Sequence, residues 1–237
     1  MLLGVFGSRN LGNNATLAVA LDHIRRRAPE AEVVCVTNAP AAASREFDVP
    51  CIPMDPAPRS VLPYRIRSRL GWVGSLLDAL ATERARVAVC AEALKGADQC
   101  VVVGTGVLDD FAATPDGLPL ALWRWCRASR IAGVPLTFLA VGAGPIRHPV
   151  SRTFMRRAVA LSSRRSYRDT ISREFIASLG IDTSIDRVVP DLVFGIAKDR
   201  VPHRCIRASD SRTVGVGVMS YHGWRGDAKT GMRSYSV

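Results

Sequence analysis

Short unbroken apolar runs alternate along this chain with longer segments whose apolar residues recur every three or four positions. Met1–Phe6, Val33–Thr37, Gln99–Val103, Leu136–Val141 and a run near Arg187–Val189 read as strands, with a further short run at Pro50–Pro53. Ala15–Ala28, Leu76–Ala97 and Leu118–Ala132 read as helices. Strands written as continuous apolar runs are buried on both faces, which is how a parallel sheet with crossover helices appears in sequence. The pattern therefore predicts an α/β domain over residues 1–197, with ligands gathered at the carboxyl ends of its strands.

The densest part of this pattern is Val134–Asp191. Leu136–Val141 ends in Gly142-Ala143-Gly144-Pro145, a later run ends in Tyr167-Arg168-Asp169 with Ser172 three residues on, and the last gives way to Pro190-Asp191. Elsewhere the pattern breaks. Pro56–Gly74, rich in Pro and Arg, is expected as an excursion at the rim. Residues 198–212 are polar and basic and are expected as a linker. Residues 213–237 open with the apolar run Thr213–Met219 and are expected to be the first strand and loop of a second domain that this chain lacks.

Composition narrows the class. With 237 residues, 48% hydrophobic and 22% charged, the chain can bury a substantial core. Its longest apolar stretch, Ile131–Ile146, is broken by Gly and Pro and is shorter than the roughly 20 residues of a membrane span. Met1–Phe6 is too short for a signal-peptide core, so a cytoplasmic location is expected, at most with peripheral association at the inner face of a membrane. The six cysteines form neither a CxxC pair nor a Cys/His ligand set and read as buried apolar residues, with no metal. A net charge of +11 invites nucleic acid, but the arginines are scattered over helix faces with little aromatic interleaving. Anionic small molecules or an anionic membrane surface fit this distribution better.

Two loops hold candidate chemistry near the amino terminus. Gly7–Asn14, with Gly12, Asn13 and Asn14, joins the first strand to the first helix, where an anion can meet backbone N–H groups. It is neither a GxGxxG fingerprint nor a P-loop, and a tight turn with Asn14 as helix N-cap explains it equally well. Gly104-Thr105-Gly106, with Asp109 and Asp110 beyond it, follows the strand at Gln99–Val103; its glycines would let backbone approach a ligand.

Taken in order, these segments resemble the polysaccharide pyruvyl transferase family. The resemblance rests on Gly12-Asn13-Asn14, Gly104-Thr105-Gly106 with Asp109, Gly133-Val134-Pro135, Gly142–Pro145, Tyr167-Arg168-Asp169 with Ser172, Pro190-Asp191 and Gly215–Met219. Two departures stand out. The first loop lacks the acidic pair that usually follows its Gly-Asn, and the usual triple glycine is Gly104-Thr105-Gly106 here. The resemblance implies a Rossmann-like parallel sheet with helices on both faces, forming the N-terminal half of a two-domain architecture like that of B-type glycosyltransferases. It also implies transfer of a pyruvyl group from phosphoenolpyruvate, as donor substrate and without a cofactor, onto two hydroxyls of a sugar or lipid-linked saccharide.

Such chemistry needs a cationic fork for the donor's carboxylate and phosphate, a proton for its methylene carbon, and a base for the attacking hydroxyl. Arg168 is the candidate anion contact and Asp109 the candidate base, with Asp110 beside it; His148 is a candidate acid or anion contact. Gly12, Asn13, Asn14, Gly104, Gly106, Gly142, Gly144, Pro145, Asp169, Ser172 and His222 are candidates for substrate binding. Each has a plainer reading: an Arg168–Asp169 structural pair, a helix cap at Asp109, a solvated loop histidine at 148. Two other functions stay open, a nucleotide-sugar glycosyltransferase of the same architecture and a non-catalytic sugar- or anion-binding fragment.

Overall fold

The computed structural model describes residues 1–8, 10–56, 60–61, 63–111 and 113–197. The expected linker, the strand from Thr213 and His222 lie outside the described residues.

Seven strands form one parallel sheet: β1 Leu2–Leu3, β2 Cys35–Thr37, β3 Cys51–Pro53, β4 Cys100–Val103, β5 Leu136–Val141, β6 Arg164–Tyr167 and β7 Arg187–Val188. Their order is β3-β2-β1-β4-β5-β6-β7, the doubly wound order extended by one edge strand, with the direction of winding reversing between β1 and β4. The fold is thus α/β and Rossmann-like.

Neighbouring residues on the strands point to opposite faces, and each face has its own core. Leu3, Val36 and Val102 point into one cluster, packed by Val87, Cys90 and Leu94 of α4 (Gly71–Leu94), Leu122, Trp125 and Cys126 of α5 (Leu118–Ala132), Met155 of α6 (Pro149–Ala160) and Ile176 of α7 (Thr170–Ser178). Leu2, Cys35 and Val103 point into the other, packed by Leu17 and Leu21 of α1 (Leu11–Arg27) and Ala43 of α2 (Pro40–Phe47). Helices therefore cover both faces, as expected.

Local chemistry fixes the helix ends. Asn10, Asp169 and His148 are N-caps whose side chains accept backbone N–H bonds, and Pro119 and Pro149 sit at the start of their helices, where no N–H is needed. Gly133, at φ 71°, closes α5 in the left-handed conformation.

Two expectations are corrected. The first helix starts at Leu11, not Ala15, and Asn10 caps it; Gly12, Asn13 and Asn14 lie in its first turn instead of a preceding loop. The rim segment Pro56–Gly74 contains a short helix, α3 (Tyr64–Arg69), and the start of α4, which begins at Gly71 and ends at Leu94. Arginine-rich helix formers at Tyr64–Arg69 had been hidden by the surrounding prolines. Cys35, Cys51, Cys90, Cys100 and Cys126 are free thiols, and burial pushes Cys35 and Cys90 up to about 12.

Candidate functional site

The carboxyl ends of β4, β5 and β6 meet in one corner. Backbone bonds join the loops that leave them: Gly142 N donates to Thr105 O at 3.0 Å, Gly144 N to Leu108 O at 3.1 Å, and Leu108 bridges Ala143 in parallel register. Ser172, at the start of α7, receives a hydrogen bond from Ala143 N at 2.9 Å. Asp169 Oδ1 accepts from Ser172 N at 2.6 Å, closing the turn between β6 and α7. Three strand tips are thereby fixed relative to one another by main chain and short polar side chains, which is the rigidity a binding site needs.

Arg168 leaves this corner. Its side chain is about 40% exposed, and its guanidinium faces two carboxylates at 3.5 Å, Asp169 Oδ2 from Nε and Asp191 Oδ2 from Nη1. Both separations exceed the roughly 2.7–2.9 Å of a closed charge-assisted hydrogen bond. The fork is oriented from two sides without being locked to either. Glycine at 142 makes room for it: a Cβ there would lie 2.6 Å from Arg168 Cζ and Nε. Asp191 has two roles, since its Oδ1 also accepts from Val193 N and caps the 3-10 turn Leu192–Gly195.

Asp109 faces the same corner, half-buried. A Cβ on Gly106 would come within 3.1 Å of its Oδ2, and one on Gly144 within 3.4 Å of its Cβ. Burial pushes the Asp109 carboxyl above the usual range and Asp110 adds to this, against the Phe111 N–H that it accepts at 3.0 Å and the positive charge of Arg168. Partial burial also acts upward on Asp169, but the Ser172 amide and hydroxyl and Arg168 outweigh it and hold that carboxyl below its usual range. Two acids that both sense the charge of Arg168 are thus driven apart in proton affinity, the arrangement that separates acid–base duties in active sites.

The sequence-predicted residues divide into three groups. Gly106, Asp109, Gly142, Gly144, Arg168, Asp169 and Ser172 are brought together, and Pro145 continues the Gly144 turn at the surface. His148 lies one loop further out. It caps α6, its Nδ1 accepting from Val150 N at 3.2 Å, and it is tied back by its own N–H to Asp110 Oδ2 at 2.8 Å. Asp110, which also accepts from Arg147 N, is therefore a loop clasp. Gly104 is buried, and the space at its Cα is filled by the carbonyls of Ala140 and Leu139, so it serves the approach of two strands and not of a ligand.

The third group is the amino-terminal turn. Asn10 Oδ1 accepts from Gly12 N and Asn13 N, and Asn14 is buried, taking Gly7 N on its Oδ1 and giving its Nδ2 to Glu46. Those donors and acceptors are committed to the fold, and no described contact joins them to Arg168. Sequence reasoning passed over Asp191 as an orienting partner of Arg168; its position three residues beyond β7 was the available signal.

Beside Asp109 opens a cleft of about 470 Å³ at the ends of β1, β2 and β3, lined by Val5, Thr37, Asn38, Met54, Phe111 and Thr114 among others. Phe111, whose N–H Asp109 accepts, is on its wall. Mixed polar and apolar walls suit the alternating hydroxyl and C–H faces of a sugar.

No curated protein sequence matches. Among solved structures, the crystal structures of Anabaena Alr3699/HepE in complex with UDP and in complex with UDP and glucose each superpose with a TM-score of 0.47 at 18% identity, covering 80% of this chain and 43% of theirs. The chain spans less than half the length of those proteins. The model of the polysaccharide pyruvyl transferase family matches residues 10–216. The chain belongs to the polysaccharide pyruvyl transferase family.

Proposed function

We propose that this chain supplies the N-terminal half of a pyruvyl transferase that moves the pyruvyl group of phosphoenolpyruvate onto two hydroxyls of a polysaccharide or its lipid-linked precursor. The observation that carries this reading is the oriented but unlocked guanidinium of Arg168 beside the elevated carboxyl of Asp109. A bidentate fork suits the donor's carboxylate or phosphate, and arginine stays charged throughout.

In the reaction the methylene carbon of the enol phosphate takes a proton, leaving an oxocarbenium-like carbon that one sugar hydroxyl attacks. Phosphate then departs with its bridging oxygen, and the second hydroxyl closes the ketal; of the two hydroxyl protons given up, one replaces the proton taken by the methylene carbon and the other leaves on phosphate. Asp109, as carboxylate, is the acceptor for a hydroxyl proton, and its raised proton affinity makes it a stronger base than a solvated aspartate. The acceptor sugar occupies the cleft next to Phe111, and Gly106 and Gly144 keep the approach to Asp109 narrow and free of side chains. Of the remaining candidates, His148 offers only Nε2, since Nδ1 is engaged in capping α6. Peripheral association with the inner face of a membrane would bring a lipid-linked acceptor to this cleft.

Phosphate release from phosphoenolpyruvate in the presence of saccharide tests the proposal, with Arg168→Lys as the companion variant and a UDP-sugar as the rival donor. Acceptor-dependent phosphate release that falls about 100-fold or more in Arg168→Lys supports it, because an ammonium cannot reproduce the fork. Release of UDP without phosphate would assign a glycosyl transfer instead, and equal turnover in the variant would remove Arg168 from the donor site.

A further inference from the structure

One apolar stripe of α4 outruns the body it packs on. Trp72, Leu76 and Leu80 repeat every four residues, and after Glu83 the same stripe continues as Val87, Cys90 and Leu94. Its second half lies in the core, with Val87 4% exposed and Cys90 and Leu94 fully buried. Its first half is open to water: Trp72 is 78% exposed and Leu80 56%. Val73 and Leu77 widen it, and Leu70 and Tyr64, the latter 73% exposed, extend it onto α3. Single exposed apolar side chains are ordinary, but a contiguous set of seven on one ledge is not.

The charges around this ledge have one sign. Between residues 60 and 80 the chain carries Arg65, Arg67 and Arg69, and the only carboxylate is Asp78. Asp78 is buried and held by Arg67 at 3.1 Å, which leaves Arg65 and Arg69 as exposed cations flanking the apolar stripe. The first turn of α4 carries no acidic residue to offset them.

We propose that α3 and the amino-terminal half of α4 form a docking surface for an anionic lipid bilayer, lying in the interface without crossing it. Among the described residues no helix is long and apolar enough to span a membrane. Trp and Tyr beside Leu, with arginines at the margin, match the headgroup–acyl boundary, where aromatic rings settle and guanidinium stems reach out to phosphate. A second copy of the chain fits less well, since pairing this ledge with itself would bring Arg65 and Arg69 against their own counterparts. This proposal stands on the ledge alone and is independent of the reaction proposed above.

Flotation of the 237-residue chain with phosphatidylcholine vesicles, with and without phosphatidylglycerol, tests it. The expected result is binding to the phosphatidylglycerol-containing vesicles that weakens with salt and falls about tenfold or more in Arg65→Glu/Arg69→Glu. A comparable loss is expected in Trp72→Ala/Leu76→Ala, with the circular dichroism of both variants unchanged because all four side chains are exposed. Failure to float with phosphatidylglycerol, equal binding to neutral vesicles, or variants that float like the parent would each overturn the proposal. So would sedimentation as a dimer that these variants dissolve while vesicle binding stays absent, a result that would assign the ledge to a second copy.

Discussion

The guanidinium of Arg168 occupies the volume in which a side chain at residue 142 would place its first carbon. A Cβ on Gly142 would stand 2.6 Å from Arg168 Cζ and Nε and 2.8 Å from Nη2, closer than unbonded atoms come. The glycine is thus required by the arginine, and a loop residue just after β5 sets the aim of a charge just after β6.

Gly142→Ala separates function from folding. The group it would strike is the far end of a flexible, 40% exposed side chain, which can swing away. We expect a melting temperature within a few degrees of the parent, and a loss of at least tenfold in kcat/KM for phosphoenolpyruvate, since about 1.4 kcal/mol of lost orientation is enough for that. Calorimetry and a phosphate-release assay on the same preparation check both halves; wild-type turnover would show that the aim of Arg168 does not matter.

Gly104→Ala is expected to do the opposite. There the new methyl would meet the carbonyl oxygen of Ala140 at 2.4 Å and that of Leu139 at 2.9 Å, both backbone. Nothing can swing aside, because Ala140 is already held at φ 50°, where the β5–β6 register shifts, with its N–H bonded to Ser166 Oγ. Prying β4 from β5 should cost about 1–3 kcal/mol. Denaturant unfolding of this variant should show a lowered midpoint with an unchanged slope.

These two glycines also mark what the sequence could and could not convey. β4 and β5 were legible because buried parallel strands leave apolar runs, whereas β6, Arg164–Tyr167, carries two arginines and a serine and leaves none. α5 and β5 have the predicted bounds because Pro119 and Gly133 punctuate them. That both glycines follow strand ends was legible too. What each glycine makes room for was not, since Ala140 and Arg168 reach them only through pairing between strands. The same holds for Asn14: Glu46, its partner, is 32 positions away. Asn10 is the better N-cap because the N–H groups of Gly12 and Asn13 lie within reach of its Oδ1.

Asp109→Asn should raise stability at neutral pH. Because burial lifts the folded-state proton affinity of Asp109, the folded protein holds this proton more tightly than the unfolded chain does. The contribution of this group to stability is fully present below its ordinary value near 3.8 and is lost as pH rises through the raised folded value. Asparagine cannot ionise and escapes that loss. The melting temperatures of variant and parent should coincide in acid and separate on the way to neutrality, the variant higher by a degree or two; about 1 kcal/mol moves a chain of this size by about 2–4 °C. Under the proposed chemistry the same variant loses the base, so a stabler protein with little turnover is the expected pair of results.

Arg124 carries the last expectation. This side chain is 1% exposed, on the core-facing side of α5, where it meets Glu83 of α4 through Nε and Nη2 at 2.8 and 2.9 Å and Asp55, beyond β3, through Nη1 at 2.7 Å. One buried cation thereby ties three elements together: the end of β3, α4 and α5. Desolvation opposes its charge, but the hydrogen bonds and charge of Glu83, with Asp55 behind them, outweigh this and hold its proton more firmly than usual. Removing the cation leaves Glu83 mostly enclosed, with Arg86 at 4.0 Å its remaining cationic neighbour among the described residues. Arg124→Ala should therefore cost about 3 kcal/mol, the lower end for a broken buried pair because Asp55 remains open to water. Arg124→Met with Glu83→Gln fills the volume and removes the stranded charge, and should recover most of that loss. A double-mutant cycle in denaturant decides it: if the double variant is no more stable than Arg124→Ala, the network contributes packing shape and not charge pairing.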